Sequence, residues 1–296
     1  MSAARPLDTQ PGTPPDMRTA LELERIASGR LVGTAHTFLG TGRMFGGEVA
    51  AQAVMAAHDG IPEDRSLHSL HGYFLLPGDP DAPLLHEVDR TRDGGSFTTR
   101  TVRTVQDAGV VFTLLASFQR REEGFEHGPT APEVAGPDDS ATVNDRLAAM
   151  DEGPLANWLA AMGDIFSWEF RFPEPPMHPR EPSDAPRHTW FRVRGDLPAD
   201  DAGAHAAALT HGSDLFLLSS ALQRHGMGFG TPGLFVTSLD HAMWFHRPPR
   251  VDDWLLYEQR SEWAGNARTL CRGRFWTTDG ELVATVSQEG LVRLPS

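Results

Sequence analysis

The sequence predicts an α+β fold built from two copies of one unit, each a long buried helix laid against an antiparallel sheet. Three observations carry this. Two stretches of helical composition, FGGEVAAQAVMAAHDG and THGSDLFLLSSALQRHG, are almost free of charge and stop at a glycine. Each is followed by several strand-like runs divided by turns. The second set of strands repeats the first at a constant offset. A helix with so little charge is gripped on most sides, and alternating strands around it imply a sheet with one covered and one exposed face.

The elements follow in order. Residues 1–15 lack an apolar core region, so they read as a disordered tail rather than a secretory signal. Asp16 can cap a helix through MRTALELERI, with Leu21, Leu23 and Ile26 on its apolar side. GRLVGTAHTFLG reads as a strand and FGGEVAAQAVMAAHDG as the first buried helix. LHSLHGYFLL, LLHEVDRT, SFTTRTVRTV and VVFTLLASFQR are strands, with glycine turns such as RDGGS and QDAGV between them. The first unit is thus placed at residues 16–124. Residues 125–181 are rich in Pro, Gly and acidic side chains and read as a crossover linker with a helix at LANWLAAMGDIF. The second unit, 182–296, restarts with the strand HTWFRVR and the helix THGSDLFLLSSALQRHG. It ends in strands at GLFVTSLDHAMWFH, WLLYEQRSE, ARTLCRGRFWTT and LVATVSQEGLVRL.

The duplication is tested by register. Pairing Pro77 with Pro248 sets an offset of 171 residues (248 − 77). Without a gap it also pairs Phe74 with Phe245, Glu87 with Glu258, Gly94 with Gly265, Arg103 with Arg274 and Gly109 with Gly280. The helices align at 166 (212 − 46): Gly46 with Gly212, Glu48 with Asp214, Gly60 with Gly226. Coincident turn glycines mean that the strand lengths agree.

Composition removes several classes of function. The net charge of −14 argues against a nucleic-acid binder. All positive charge is arginine and no lysine occurs, which excludes Schiff-base and P-loop lysine chemistry. Cys271 is the single cysteine and reads as a buried core thiol, so neither an intramolecular disulfide nor a cysteine zinc site is available. No apolar run is long enough to span a bilayer. A cytoplasmic, soluble protein is expected. His68, His71, His241 and His246 lack a convincing third metal ligand, so no metal is expected. A GxSxG elbow is missing.

The ordered set LELERIASGRLVG, MFGGEVAAQAVMAA, LHSLHGYFLLPGD, RDGGSFTTRTV, ASFQRREEGFEH, HGSDLFLLSSALQRHG, SLDHAMWFHRP, DDWLLYEQRSE and SQEGLVR resembles the acyl-CoA thioesterase II (TesB-like) family. The resemblance implies a tandem, or double, hotdog. It implies hydrolysis of acyl-CoA by direct attack of water, with no cofactor, and a homo-oligomeric assembly. It places the family's helix Asp on Asp214, its strand hydroxyl on Ser238 and its strand Gln on Gln288. At the position of Glu48 the family usually carries Gln, so this residue is expected either near the substrate path or as a surface change.

These residue types suit the chemistry. A thioester needs an oriented water, a group to take its proton, and donors for the developing oxyanion. With Asp214 at a helix start, that helix's amides would hold the carboxylate and polarise a carbonyl. Ser238 and Gln288 each donate and accept. Taken singly, Asp214 serves equally well as a helix cap, and Ser238 and Gln288 as ordinary strand residues. By the strand offset Ser238 maps to Leu67 and Gln288 to Ser117, so one site per chain is expected, in the second unit. Strand alternation puts Ser238 on one face with Val236, Asp240, Ala242, Trp244 and His246, unless a bulge intervenes. Arg43, Arg92, Arg247 and Arg250 are candidates for CoA phosphates, none of them singled out. Two other functions remain open. One is a hotdog enoyl-thioester hydratase, although HGSDLF lacks the Asn-Pro and His of a DxNPxH segment. The other is a non-catalytic acyl-thioester-binding protein.

Overall fold

A computed structural model of the chain describes residues 16–36, 43–151, 153–165, 167–174, 181–195 and 197–294. The tail expected at 1–15 and the end of the strand expected in GRLVGTAHTFLG lie outside them. The first unit contains α1 (Met17–Ala20), β1 (Glu24–Ala27), β2 (Arg30–Gly33), α2 (Gly46–Ala57), β3 (Arg65–Phe74), β4 (Leu84–Asp93), β5 (Phe97–Gln106) and β6 (Gly109–Arg120). Then come β7 (Ala141–Thr142), α3 (Val143–Ala148), α4 (Pro154–Ile165) and β8 (Trp168–Phe172). The second unit contains β9 (Arg187–Val193), α5 (Ala202–Ser213), α6 (Ser219–Gln223), β10 (Phe235–Ser238), β11 (Asp240–Phe245), β12 (Leu255–Gly265), β13 (Arg268–Thr277) and β14 (Leu282–Arg293).

The strands form one antiparallel sheet of fourteen, ordered β1-β2-β4-β5-β6-β3-β11-β14-β13-β12-β9-β8-β7, with β10 also paired to β14. The two units meet edge to edge at β3 and β11, where Asp240 faces Tyr73 and Trp244 faces Ser69. Each half follows the same internal strand order, as the repeat requires. α2 packs on β4, β5 and β6, α6 on β12 and β13, and α2 and α5 lie against each other. Small side chains allow that approach: Ala50, Ala51, Ala53, Ala56 and Ala57 of α2 and Ala207 and Ala208 of α5 are at most 1% exposed. The layer is filled by aromatic rings, with Tyr257 stacked on Phe275 and Trp168 edge-on to Phe191.

Three expectations are corrected. The helix expected through MRTALELERI is a single turn capped by Asp16; Glu24–Ala27 is strand, and Ile26 is exposed. A hairpin at Gly29, which has φ 66°, pairs this segment with β2 and overrides its helical composition. The helix expected through THGSDLFLLSSALQRHG starts earlier, at Ala202 behind an Asp201 cap, and breaks after Ser213 before α6. Finally, β10 and β11 are not one alternating strand. Ser238 faces Gly290 and Ala242 faces Ser287, a one-residue shift in register. β3 has the same irregularity between Leu67 and Ser69. The bulge turns Ser238 to the helix side with His241, Met243 and Phe245, which are all buried, while Trp244 faces out.

Candidate active site

Asp214 is the residue at which the second central helix stops. It caps the C-terminal end of α5 in αR conformation, and Phe216 follows with φ 65°. Its position is therefore opposite to the expected one: it stands at the negative end of its own helix, where a carboxylate gains nothing from the dipole. The positive helix end comes from the other repeat. α2 opens at Gly46 behind Phe45, whose side chain makes no capping bond. A Cβ added to Gly46 would stand 3.1 Å from Asp214 Oδ2, so glycine lets the first turn of α2 come this close to the carboxylate without a tight contact.

The other oxygen is held by the second unit. Gln288 Nε2 donates to Asp214 Oδ1 at 2.5 Å and to Ser238 Oγ at 2.8 Å, and Ser238 Oγ donates to the same Oδ1 at 3.3 Å. Gln288 is wholly buried, and its Oε1 has no partner among the described residues. The structure thus brings together all three residues singled out in the sequence.

Side chains that the sequence did not mark keep the helix broken. In a continuous helix the carbonyls of Ser213 and Leu215 would accept from amides four residues on. Here Tyr257 Oη donates to Ser213 O at 2.7 Å, and Gln259 Nε2 donates to Leu215 O at 3.1 Å. Both sit on β12, fully buried. Gly273 leaves room for the ring, because a Cβ there would come within 2.3 Å of it. Ser213 Oγ gives its proton to Thr210 O, so it accepts at 2.7 Å from His241 Nε2–H. Burial holds the His241 pKa below its ordinary value against the opposing charges of Asp214 and Asp240, which keeps the ring neutral. Burial likewise raises the Tyr257 pKa, with the Asp214 charge adding to it, so the phenol stays a donor. At the offset of 171, Tyr257 corresponds to His86 and Gln259 to Val88, and α2 runs unbroken. That substitution was the available signal in the sequence.

Asp214 and Ser238 open on a cavity of about 750 Å³. Its walls are mostly apolar and include Trp158, Met162, Phe216, Phe229, Leu234 and Phe235. Arg43 is the one of the four arginine candidates that lines it, with its guanidinium 4.9 Å from the Phe235 ring centroid. Arg247 and Arg250 are paired elsewhere, with Glu281 and Asp252.

The remaining candidates have other occupations. Glu48 is 3% exposed, so it is not a surface change, and its carboxylate accepts from the backbone N–H of His36 at 3.0 Å and binds the His36 ring at 2.7 Å. One turn on, Gln52 donates to Thr34 O, so α2 clasps residues 34–36 twice. His68 bonds Ser117, His246 bonds Thr285, and His71 packs edge-on to Trp244. Cys271 is buried, and burial raises its pKa.

Residues 163–291 match the acyl-CoA thioesterase family, and residues 34–119 match the acyl-CoA thioesterase N-terminal domain. The chain is 36% identical to acyl-coenzyme A thioesterase 8 of Homo sapiens, over 96% of this chain and 92% of that protein. It is 38% identical to the acyl-CoA thioesterase II TesB2 of Mycobacterium marinum, whose crystal structure it matches with a TM-score of 0.74 over 95% of this chain and 98% of that one. A hot dog fold protein from Alicyclobacillus acidocaldarius, 22% identical, shares the fold with a TM-score of 0.75, covering 95% of this chain and 98% of that one. With its duplicated helix-and-sheet unit and these relatives along nearly its whole length, the chain is a double hotdog and belongs to the acyl-CoA thioesterase family.

Proposed function

We propose that the chain hydrolyses acyl-CoA to free acid and CoA through a water held directly by Asp214, Ser238 and Gln288. The observation that carries this is the division of labour at Asp214: one oxygen is fixed by Ser238 and Gln288, and the other faces the head of α2 at the mouth of an apolar cavity. The acyl tail occupies the cavity. The water oxygen attacks the thioester carbonyl carbon as Asp214 takes its proton. The carbonyl oxygen becomes an oxyanion beside the first-turn amides of α2. Collapse breaks the C–S bond, and the proton on Asp214 leaves with the CoA sulfur. Proton transfer of this kind contributes about 10²- to 10⁴-fold and an oxyanion donor a further 10²- to 10³-fold. Arg43 at the cavity supports a contact with a CoA phosphate.

The same reading carries a cytoplasmic enzyme that self-associates. Tyr73, Leu115 and Trp244 stand exposed on the outer face near the β3–β11 seam, which supports burial against another copy. It also carries one competent site per chain, with units at 16–124 and 182–296.

The test is thiol release from a panel of acyl-CoAs by the wild-type protein and by Asp214→Ala. Release that the substitution abolishes is the expected result. Full activity in Asp214→Ala overturns the site, and tight binding of acyl-CoA without release by the wild type identifies a binding protein instead.

A further inference from the structure

Resting on that hydrolytic reading, we propose that acyl-chain length is set from outside both repeats, by the crossover helix α4, with the acyl tail ending against Trp158. The strand offset ties residues 74–109 to residues 245–280 and leaves α4 without a counterpart. Nevertheless α4 forms a wall of the cavity that Asp214 and Ser238 open on. Trp158, Ala161 and Met162 lie at i, i+3 and i+4, one stripe of the helix, and all three line that space.

Trp158 is fixed by two aromatic contacts from separate segments. It stacks on Phe229, with centroids 5.0 Å apart at 24°, and meets Phe216 edge-on at 5.4 Å and 80°. Phe216 lies two residues beyond Asp214, in the turn that breaks the helix. Phe229 precedes β10, which carries Ser238. One indole therefore joins the linker to both arms of the site. It forms a rigid partition whose size decides how much apolar tail fits while the thioester stays at Asp214. Because the partition comes from a segment outside the duplicated unit, tail length can change while Asp214, Ser238 and Gln288 stay in place.

The test measures kcat/KM for saturated acyl-CoAs of about four to eighteen carbons, with Trp158→Ala, Trp158→Phe and Ala161→Phe beside the wild type. A methylene in an apolar pocket discriminates by about tenfold or more. Trp158→Ala is expected to raise the long-to-short ratio of kcat/KM by about tenfold or more. Trp158→Phe should raise it less, and Ala161→Phe, which narrows the same wall, should lower it. An unchanged ratio in Trp158→Ala and Ala161→Phe overturns the proposal; if Trp158→Ala does not fold, the ratio in Ala161→Phe decides alone. Absence of hydrolysis by the wild type on every chain length is a different failure, that of the hydrolytic reading.

Discussion

The two repeats share their strands and their bulge, and differ in what they do with one helix. In the first, α2 runs unbroken for twelve residues, and its early carboxylate, Glu48, clasps residues 34–36 through His36. In the second, the aligned stretch is split between the end of α5 and α6, and the carboxylate at the break, Asp214, faces a cavity. The split replaces helical hydrogen bonds by bonds to Tyr257 and Gln259, which the first repeat lacks. The same duplicated element has become an electropositive helix end in one copy and a presented carboxylate in the other. Under the proposed mechanism each copy is incomplete without its partner, which would account for a first repeat that lacks the Ser and Gln positions.

The largest effect belongs to the carboxylate. Asp214→Asn keeps the shape and removes the proposed base, so kcat should fall by about 10³-fold with little change in KM, read by steady-state thiol release. Wild-type kcat in this variant would end the asymmetry just described. Next comes the contribution of the first repeat. Gly46→Ala puts a methyl 3.1 Å from Asp214 Oδ2 and from the Phe74 ring. A fall in kcat of about ten- to a hundredfold is expected. If activity survives intact, the head of α2 is mere packing. Tyr257→Phe deletes one hydroxyl and leaves Ser213 O buried without its partner, at a cost of about 1–3 kcal/mol in stability. A fall in kcat of about tenfold, larger than that in 1/KM, should accompany the lower Tm; a lower Tm with kcat retained makes the tyrosine structural only.

The smallest effect is in the first repeat. Glu48→Gln should leave kcat within about twofold, because this carboxylate serves a clasp. It should instead change how stability depends on pH. The hydrogen bond that the His36 ring donates to Glu48 raises the His36 pKa, with burial opposing and the Glu48 charge adding. A raised folded pKa contributes stability that is fully present below the unfolded value, about 6.5, and is lost as pH rises through the folded value. The Tm gap between wild type and Glu48→Gln should therefore be widest below about pH 6.5 and shrink as the pH rises above it. A gap constant across that range would show that His36 takes no charge from the pair.

Much of this was legible in the sequence. One offset located the repeated strands and the asymmetry of Ser238 against Leu67, and the family motifs marked Asp214, Ser238 and Gln288. The helix break was not legible, because LFLLSSALQ is as good a helix as the stretch before it. What stops the helix is Tyr257 and Gln259, more than forty residues away in the chain. The facing of Ser238 escapes the sequence for a similar reason. Alternation is a local rule, whereas the bulge is imposed by pairing with β14 on one side and β3 on the other. The role of α4 was hidden by the composition around it: a Pro- and acid-rich segment reads as a connection, and only the fold lays Trp158 on Phe229.

The seam between β3 and β11 also bears on the exposed borders of the sheet. An open sheet offers a row of unpaired amides and carbonyls at each border, and long borders recruit other chains. Among the described residues the borders are short: β1 has four residues and β7 has two. In the ten-residue β3, residues 69–73 are paired with β11 from the other half. A chain cut between its halves would uncover that stretch, so fusion of the two units keeps a strand edge covered.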